Sequence, residues 1–212
     1  MTVIMTTELN AVNTMLSSIG EPPVTTLDGQ QNADAAIAQN ILLEINREVQ
    51  TMGWHFNTQD EVTLTPDVNN VINLPANVLR VDVNPKIKRL GSPSSTLPQN
   101  DNRDITQRGQ TLFDRTNNTT TFTKDVIVSI VFGLPFEQLP EPARRYVTIK
   151  AARVFQDRMV GSQKHHAFSR GDEMRALSLL KEFEMDTADP SIFDNYDTAR
   201  IVMRGDAQRG TI

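Results

Sequence analysis

Hydrophobic residues recur at helical spacing through the first quarter of the chain. One run begins after a cap at Thr7 and stops at Gly20, and a second begins near Asn32 and stops by Gly53. A short proline-containing loop joins the two runs, so the pattern predicts a helical hairpin. The apolar stripes are Leu9, Val12, Leu16 and Ile19 in the first run, and Ile37, Ile41, Leu42, Ile45, Val49 and Met52 in the second.

From Trp54 to Phe136 the pattern changes to short runs of β type. The runs are EVTLT, NVINL, NVLRVDV, QTLFD, TTTFT and DVIVSIVFG, and turn-forming residues separate them. Residues 126–132 are apolar at both odd and even positions, which predicts a strand covered on both faces. Residues 91–110 are rich in Gly, Ser, Pro, Gln and Asn, which predicts a long exposed loop.

Helical spacing returns after Pro140 and persists to Gly161, and a further helix is predicted from a cap at Ser169 to the residues before Asp189. The stripe of that last helix is Met174, Leu177, Leu180 and Phe183. The remaining residues have no apolar period, which indicates an extended segment. The chain therefore predicts an α+β fold. A helical bundle domain (1–53 and 137–187) carries an inserted antiparallel β domain (54–136) and is followed by an extended C-terminal arm (188–212).

The helix EPARRYVTIKAARVFQDRMVG (141–161) is rich in basic residues. On a helical wheel its apolar residues occupy an arc of roughly 180°, and Arg145, Lys150 and Arg153 spread over the opposite side. Arg144 and Arg158 fall inside the apolar arc. Bases that are dispersed in this way favour a solvated or interface-pairing face over a helix that reads DNA. A charge over an apolar stripe needs a partner, which could lie within the bundle or on a neighbouring subunit.

Negative charge is concentrated at the start of the chain. The net charge is −5, and residues 1–53 carry six acids and one base, which already amounts to −5. Residues 54–136 carry eight of each sign, and residues 137–212 carry twelve of each sign. Tight binding to the DNA backbone requires a basic surface, so this distribution disfavours a DNA-binding protein.

Residues that could carry chemistry are few. The chain has no cysteine, which excludes disulfides and thiolate sites. His165 and His166 are adjacent and diverge on a helix, so a corner between helices is favoured over a metal site. Glu137 with Glu141, or Asp172 with Glu173, could form a hydrolase pair, but acids near a helix start are explained by the helix dipole. No catalytic, cofactor or metal site is predicted, and no leader peptide or membrane-spanning stretch is seen.

Three runs carry a family resemblance that extends over nearly the whole chain. They are MTTELNAVNTMLSSIGEPPV, LPEPARRYVTIKAARVFQDRMVGSQKHHAF and DPSIFDNYDTAR. Together they closely resemble the tail tubular protein A family of short-tailed, T7-like bacteriophages. The resemblance implies a helical bundle that bears a β domain and a structural role in the virion tail, with assembly in the host cytoplasm. A sequence-tolerant DNA-binding protein and a tail-borne cell-wall hydrolase remain as alternatives.

The resemblance also implies partners. Proteins of this family are similar to head-to-tail adaptors, in which about twelve copies form a closed ring beneath the portal. The ring is joined to the tail nozzle (tail tubular protein B), tail fibres dock near the junction, and double-stranded DNA passes through the lumen without specific binding. Twelve copies at −5 would carry roughly −60, a field that keeps DNA from adhering to the wall. No enzyme activity, cofactor or membrane contact is implied.

Three sets of residues are predicted to serve this assembly. The candidate subunit-interface residues are Arg144, Arg145, Arg153 and Arg158. The candidate portal-docking residues in the arm are Ile192, Phe193, Tyr196 and Arg200. The candidate lumen acids are Glu8, Asp34, Glu44 and Glu48.

Overall fold

The structure, a computed structural model, describes residues 5–28, 32–83, 104–161 and 163–188, without the side chains of 163–169 and 188. Its helices are α1 (Glu8–Ile19), α2 (Ala33–Thr51), α3 (Glu141–Met159) and α4 (Gln163–Ala188). Its strands are β1 (Thr58–Leu64), β2 (Val78–Val83), β3 (Ile105–Arg108), β4 (Thr111–Asp114) and β5 (Val126–Phe132). The predicted α+β class is therefore confirmed.

The ends of the first two helices lie where the sequence predicts them. The Thr7 hydroxyl accepts a hydrogen bond from the Asn10 amide at 3.2 Å, and the Asn32 side chain accepts from the Asp34 amide at 2.9 Å. Gly20 closes α1 with φ +86°, a conformation in which only glycine is free of strain. Each cap satisfies backbone groups that have no partner within the helix.

The predicted stripe of α2 is too wide. Ile37 and Met52 are 40% and 53% exposed, whereas Ala35 and Ala38 are fully buried. The buried face of α2 is the one that contacts α1 and α3, and small alanines on that face allow the helices to approach closely.

The last helix begins earlier than the sequence predicts. It starts at Gln163 and not at Ser169, so His165 and His166 lie within α4 and not at a corner. Gly161, at φ +66°, follows the end of α3, and the good helix formers Gln163 and Lys164 begin the new helix. Within the predicted stripe Leu180 is fully buried, but Met174 is 62% exposed and Ala176 is buried instead. α4 ends at Ala188, as predicted from the Asp189–Pro190 pair.

The main sheet has the strand order β1-β5-β2, with both pairs antiparallel. β5 is the central strand and its side chains are buried on both faces, which confirms the prediction for 126–132. β3 and β4 form a separate two-stranded hairpin. The loop prediction for 91–110 is wrong at its end, because Ile105–Arg108 pairs with β4 and Ile105 is 4% exposed.

Two of the predicted β runs form only isolated bridges. NVINL and TTTFT meet through a single antiparallel bridge between Val71 and Thr121. Ile72, Leu74 and Phe122 are nevertheless buried in the sheet core. The apolar pattern therefore predicts their burial correctly, although the two runs share only a few backbone hydrogen bonds, such as the one from the Phe122 amide to the Asn70 carbonyl at 2.7 Å.

The buried hydrophobic residues form two cores. The helical core draws from α1, α2, α3 and α4, together with Trp54, Phe136 and Leu139. The sheet core draws from β2, β3, β4 and β5 and from the two bridge segments. The chain passes between the helices and the sheet twice, from α2 to β1 and from β5 to α3, and these two connections are here called the crossings. Trp54 lies in the first crossing and Phe136 in the second, and both pack into the helical core.

A buried polar cluster, here called the junction network, links α2 to both crossings. The Gln50 side chain is 1% exposed; it accepts from the Leu134 amide at 2.7 Å and donates to the Leu134 carbonyl at 2.9 Å. Asn57 donates to the carbonyl oxygens of Gln50 (3.0 Å) and Phe132 (2.8 Å) and accepts from the Trp54 amide at 2.8 Å. Buried polar groups require such partners, so the network fixes the chain where it leaves and re-enters the helices.

Candidate assembly surface around helix α3

Helix α3 is the centre of the helical core. Pro140 precedes its first turn, which also contains a proline, and proline is favoured there because the first amides need no helical partner. Ala143, Val147, Ala151 and Phe155 recur at steps of four and are completely buried. The helix contacts α1 and α2 on one side and α4 on another. Its charged side chains therefore lie beside these neighbouring helices.

Arg144 is 5% exposed, and its partner lies within the chain. Its Nε donates to the Leu139 carbonyl at 2.8 Å, Nη1 donates to the Thr6 carbonyl at 2.9 Å, and Nη2 donates to the Glu137 carbonyl. Three carbonyl dipoles thus compensate the buried guanidinium, where an unpaired charge would be costly.

Glu141 completes this contact with the N-terminal segment. Its carboxylate accepts from the Thr6 amide at 3.0 Å and also from the Thr6 hydroxyl. Every polar group of Thr6 is consequently held by Arg144 or Glu141. The carboxylate considered for a hydrolase pair thus anchors residues 5–7 against the start of α3.

Two further bases of α3 pair with acids of α2. The Arg158 guanidinium binds the Glu44 carboxylate through two hydrogen bonds of 2.9 and 3.0 Å, and Lys150 Nζ lies 3.0 Å from Glu48 Oε1. The hydrogen bond from Arg158 lowers the pKa of Glu44 below its ordinary value of 4.5. Lys150, expected on the solvent side, is only 9% exposed, because α2 covers that side of the wheel.

Arg153 pairs with acids on two helices. Its Nε donates to Glu173 of α4, and Nη1 donates to Asp157 one turn along α3 at 3.2 Å. Burial lowers the pKa of the guanidinium, but the two carboxylates outweigh burial and raise it overall. The side chains of Arg153 and Glu173 are 20% and 16% exposed, so water screens this pair only weakly.

The four candidate lumen acids all lie on α1 and α2. Glu8 accepts from the Gln39 amide group at 2.9 Å, and Asp34 lies in the first turn of α2. Glu44 and Glu48 are the acids already paired with Arg158 and Lys150. Half of this set is therefore compensated within the chain.

An open groove runs along α3 between α1 and α4, with a volume of about 440 Å³. Ile149, Ala152 and Ala176 form its floor, and Leu179 lies on its α4 side. Arg145 also lines the groove; it is exposed, and in the described part of the chain it forms no ion pair. Of the four predicted interface arginines, Arg144, Arg153 and Arg158 are paired internally, and Arg145 remains available.

Other predicted features fall outside this surface. Ile192, Phe193, Tyr196 and Arg200 lie outside the described residues, as do the side chains of His165 and His166. Over the ranges that the structure describes, no three His, Asp or Glu side chains are grouped as metal ligands. No helix in those ranges is both long and apolar enough to cross a bilayer.

The sequence gives no prediction for Gln50 and Asn57, and it singles out Glu173 only as one half of a possible acid pair with Asp172 and not as a partner of Arg153. Glu173 lies one turn before Leu177 on the buried face of α4, and Gln50 follows Asn46 by four residues on the buried face of α2. A polar residue repeated at helical spacing on an apolar face was the available signal for the junction network.

Comparison with known proteins gives a consistent result. The family model described as "Tail tubular protein" matches residues 9–190. The chain is also similar to the Tail tubular protein A of Klebsiella phage KP34, with 27% identity over 176 residues, which is 82% of this chain and 86% of that protein.

Proposed function

The chain belongs to the tail tubular protein family and is a structural component of a bacteriophage tail, and from this premise we propose that about twelve copies form the adaptor ring between portal and tail nozzle. The family match carries the proposal, because it extends from α1 through α4 and so includes both helical pairs and the sheet. The helical domain (1–53 and 137–187) and the β domain (54–136) are proposed as the two units of each subunit. The separate helical and sheet cores support that division.

In this proposal DNA passes through the ring without being gripped. Binding to phosphates requires free Lys and Arg side chains, and each such contact adds to the salt dependence of affinity. On α3, Lys150, Arg153 and Arg158 are paired with carboxylates, and Arg144 is bound to carbonyl oxygens. The pairing supports a conduit over a DNA-binding helix.

The lumen is proposed to receive its negative field mainly from Glu8 and Asp34. Glu44 and Glu48 contribute less, because Arg158 and Lys150 compensate them locally. A ring in which Glu8 and Asp34 face outward would refute this part of the proposal.

Contacts between neighbouring subunits are proposed to involve the charged side chains of α3. A closed ring needs two different complementary faces on each subunit. Arg145 is the most suitable of the four arginines, because its guanidinium is exposed and has no carboxylate partner in the described ranges. Arg144, Arg153 and Arg158 would act indirectly by holding α3 in position against α1, α2 and α4.

The C-terminal arm (188–212) is proposed to dock onto the portal through Ile192, Phe193, Tyr196 and Arg200. The absence of an apolar period supports this role, since such a segment does not bury a helical face. Deletion of 188–212 should weaken co-sedimentation with the portal, while circular dichroism should still show the helical content of the remaining chain. The tail fibres are proposed to dock near the junction with the nozzle.

Electron microscopy of the protein incubated with purified portal tests the proposed function. A ring coaxial with the portal, with a symmetry of about twelve, is the expected result. The protein alone and the portal alone are the controls. Portal particles that carry no extra ring, at protein concentrations where α1 to α4 are folded, would overturn the proposal.

A further inference from the structure

The groove along α3 is lined by both apolar and charged side chains. Its floor is apolar, and Leu179 beside it is 59% exposed although leucine is usually buried. Its volume of about 440 Å³ lies in the range of ligand-binding clefts. A groove of this kind, left open to water, favours an occupant that brings apolar side chains.

The charged side chains that line the groove predict the net charge of its occupant. Arg145 is exposed and has no ion pair in the described ranges, and Arg175 lies 3.8 Å from Asp172, with both side chains largely exposed. Arg153 also lines the groove but is already paired with Glu173. Arg145 and Arg175 therefore line the groove together with Asp172, the only acid among the described residues of its lining, which favours an acidic occupant.

We propose that residues 189–197 of the same chain occupy this groove before the protein assembles. Their sequence, DPSIFDNYD, contains three aspartates and no base. It also supplies the apolar side chains Ile192, Phe193 and Tyr196. No other stretch outside the described residues combines these two properties: residues 84–103 are basic at Lys86, Lys88 and Arg89.

The position of the segment makes the contact reachable. α4 ends at Ala188 and itself forms one wall of the groove. At 1.5 Å per helical residue, Leu179 lies about 14 Å back along α4 and Asp172 about 24 Å back. Nine extended residues span up to about 30 Å, so the segment can turn at Asp189–Pro190 and cover the groove in the reverse direction.

Attachment to the same chain favours this occupant over a free peptide. A tethered segment meets its site at an effective concentration in the millimolar range, so weak contacts suffice. The contact concerns the free chain and does not depend on the ring. On assembly the segment would leave for the portal and free Arg145 for a neighbour, a step that rests on the proposed function.

Disulfide trapping tests the contact, and the chain suits it because it has no cysteine of its own. The test variant is Leu179→Cys with Phe193→Cys. The matched control is Lys181→Cys with Phe193→Cys, since Lys181 lies on α4 at a similar distance along the chain from residue 193, is exposed and does not line the groove. We expect the test pair to close within one molecule at least about ten times faster than the control pair.

Two results would overturn the proposal. Equal rates for the two pairs would show that residue 193 does not favour the groove. Covalent dimers as the main product of the test pair, on a non-reducing gel of dilute protein, would show that a second copy occupies it. Because Leu179 is exposed, the cysteine variants should keep the circular dichroism spectrum of the wild type.

The charge requirement is tested in the same background. Arg145→Glu should slow closure about tenfold, and adding Asp194→Arg should restore the rate, because the reversed pair again attracts. A rate that is insensitive to both changes would contradict the assignment of Arg145. Adding purified portal should lower the yield of the internal disulfide; an unchanged yield would leave the groove contact in place and refute portal docking by the arm.

Discussion

Replacement of Gln50 by alanine should reveal how much the junction network stabilises the protein. The side chain is 1% exposed and makes two hydrogen bonds to the backbone of Leu134. Loss of the side chain leaves the Leu134 amide without that partner, which costs about 1–3 kcal/mol in the free energy of unfolding. The Leu134 carbonyl retains a 3.4 Å bond from Asn46, so its loss is smaller. With about 0.8 kcal/mol for the buried methylene, Gln50→Ala should lower the free energy of unfolding by about 3 kcal/mol.

Urea unfolding followed by tryptophan fluorescence measures this change at the site itself. Trp54 is the only tryptophan, and its indole nitrogen donates to the Val49 carbonyl at 2.7 Å, next to Gln50. A loss of about 3 kcal/mol corresponds to a drop of about 6–12 °C in Tm for a chain of this size. The slope of the free energy against urea should stay constant, because the variant exposes the same surface on unfolding.

Gln138→Ala is the matched control, because Gln138 is exposed. It should change the free energy of unfolding by no more than about 0.5 kcal/mol. A loss of less than about 1 kcal/mol in Gln50→Ala, at constant slope, would contradict a stabilising role for these hydrogen bonds. Such a result would mean that water replaces the side chain at the crossing without cost.

Three further outcomes are expected. Gly53→Ala should lower the free energy of unfolding in urea more than Gly109→Ala does. Both glycines have positive φ, but a Cβ at Gly53 would lie 3.1 Å from a valine methyl group, whereas a Cβ at Gly109 would meet open space. Equal losses of stability in the two variants would refute this steric explanation. In Glu44→Gln the loss of the Arg158 pair should reduce stability only slightly, because the pair is exposed. The pKa of Glu44 is lowered in the folded state, so the difference from wild type should be present above pH 4.5 and disappear as the pH falls below it; a difference that persists in acid would contradict this. Burial raises the pKa of Tyr146 above 10.0, so the neutral side chain contributes stability that is present below pH 10 and is lost as the pH rises above it. Tyr146→Phe should therefore reduce the loss of stability at alkaline pH. An absorbance titration at a fixed urea concentration follows the ionisation of the tyrosine and the unfolding of the chain.

Local patterns predicted the helices and the central strand well. Thr7, Asn32 and Gly20 act through their own side chain or backbone conformation, so their roles can be read from neighbouring residues. The same applies to 126–132, where the apolar run itself indicates a strand with two covered faces. The start of α4 was misjudged because Ser169 can cap a helix but does not have to.

The charged residues were harder to interpret from the sequence. The wheel correctly singled out Arg144 as a charge inside an apolar arc, yet its partners are carbonyl oxygens at positions 6, 137 and 139. Lys150 was assigned to the solvent side, whereas α2 covers it and supplies Glu48. A wheel describes one helix alone, and the packing of its neighbours is not contained in it.

The sequence by itself determined the fold class, the helix caps, the acidic excess of residues 1–53 and the family, because these depend on residue type and on spacing along the chain. The tertiary structure decided which charges remain available. Glu44 and Arg158 are 114 residues apart, and only the packing of α2 on α3 brings them within 2.9 Å. The same packing leaves Arg145 exposed beside an apolar groove. Pair energies depend on distance and burial, and these quantities exist only once the helices have packed.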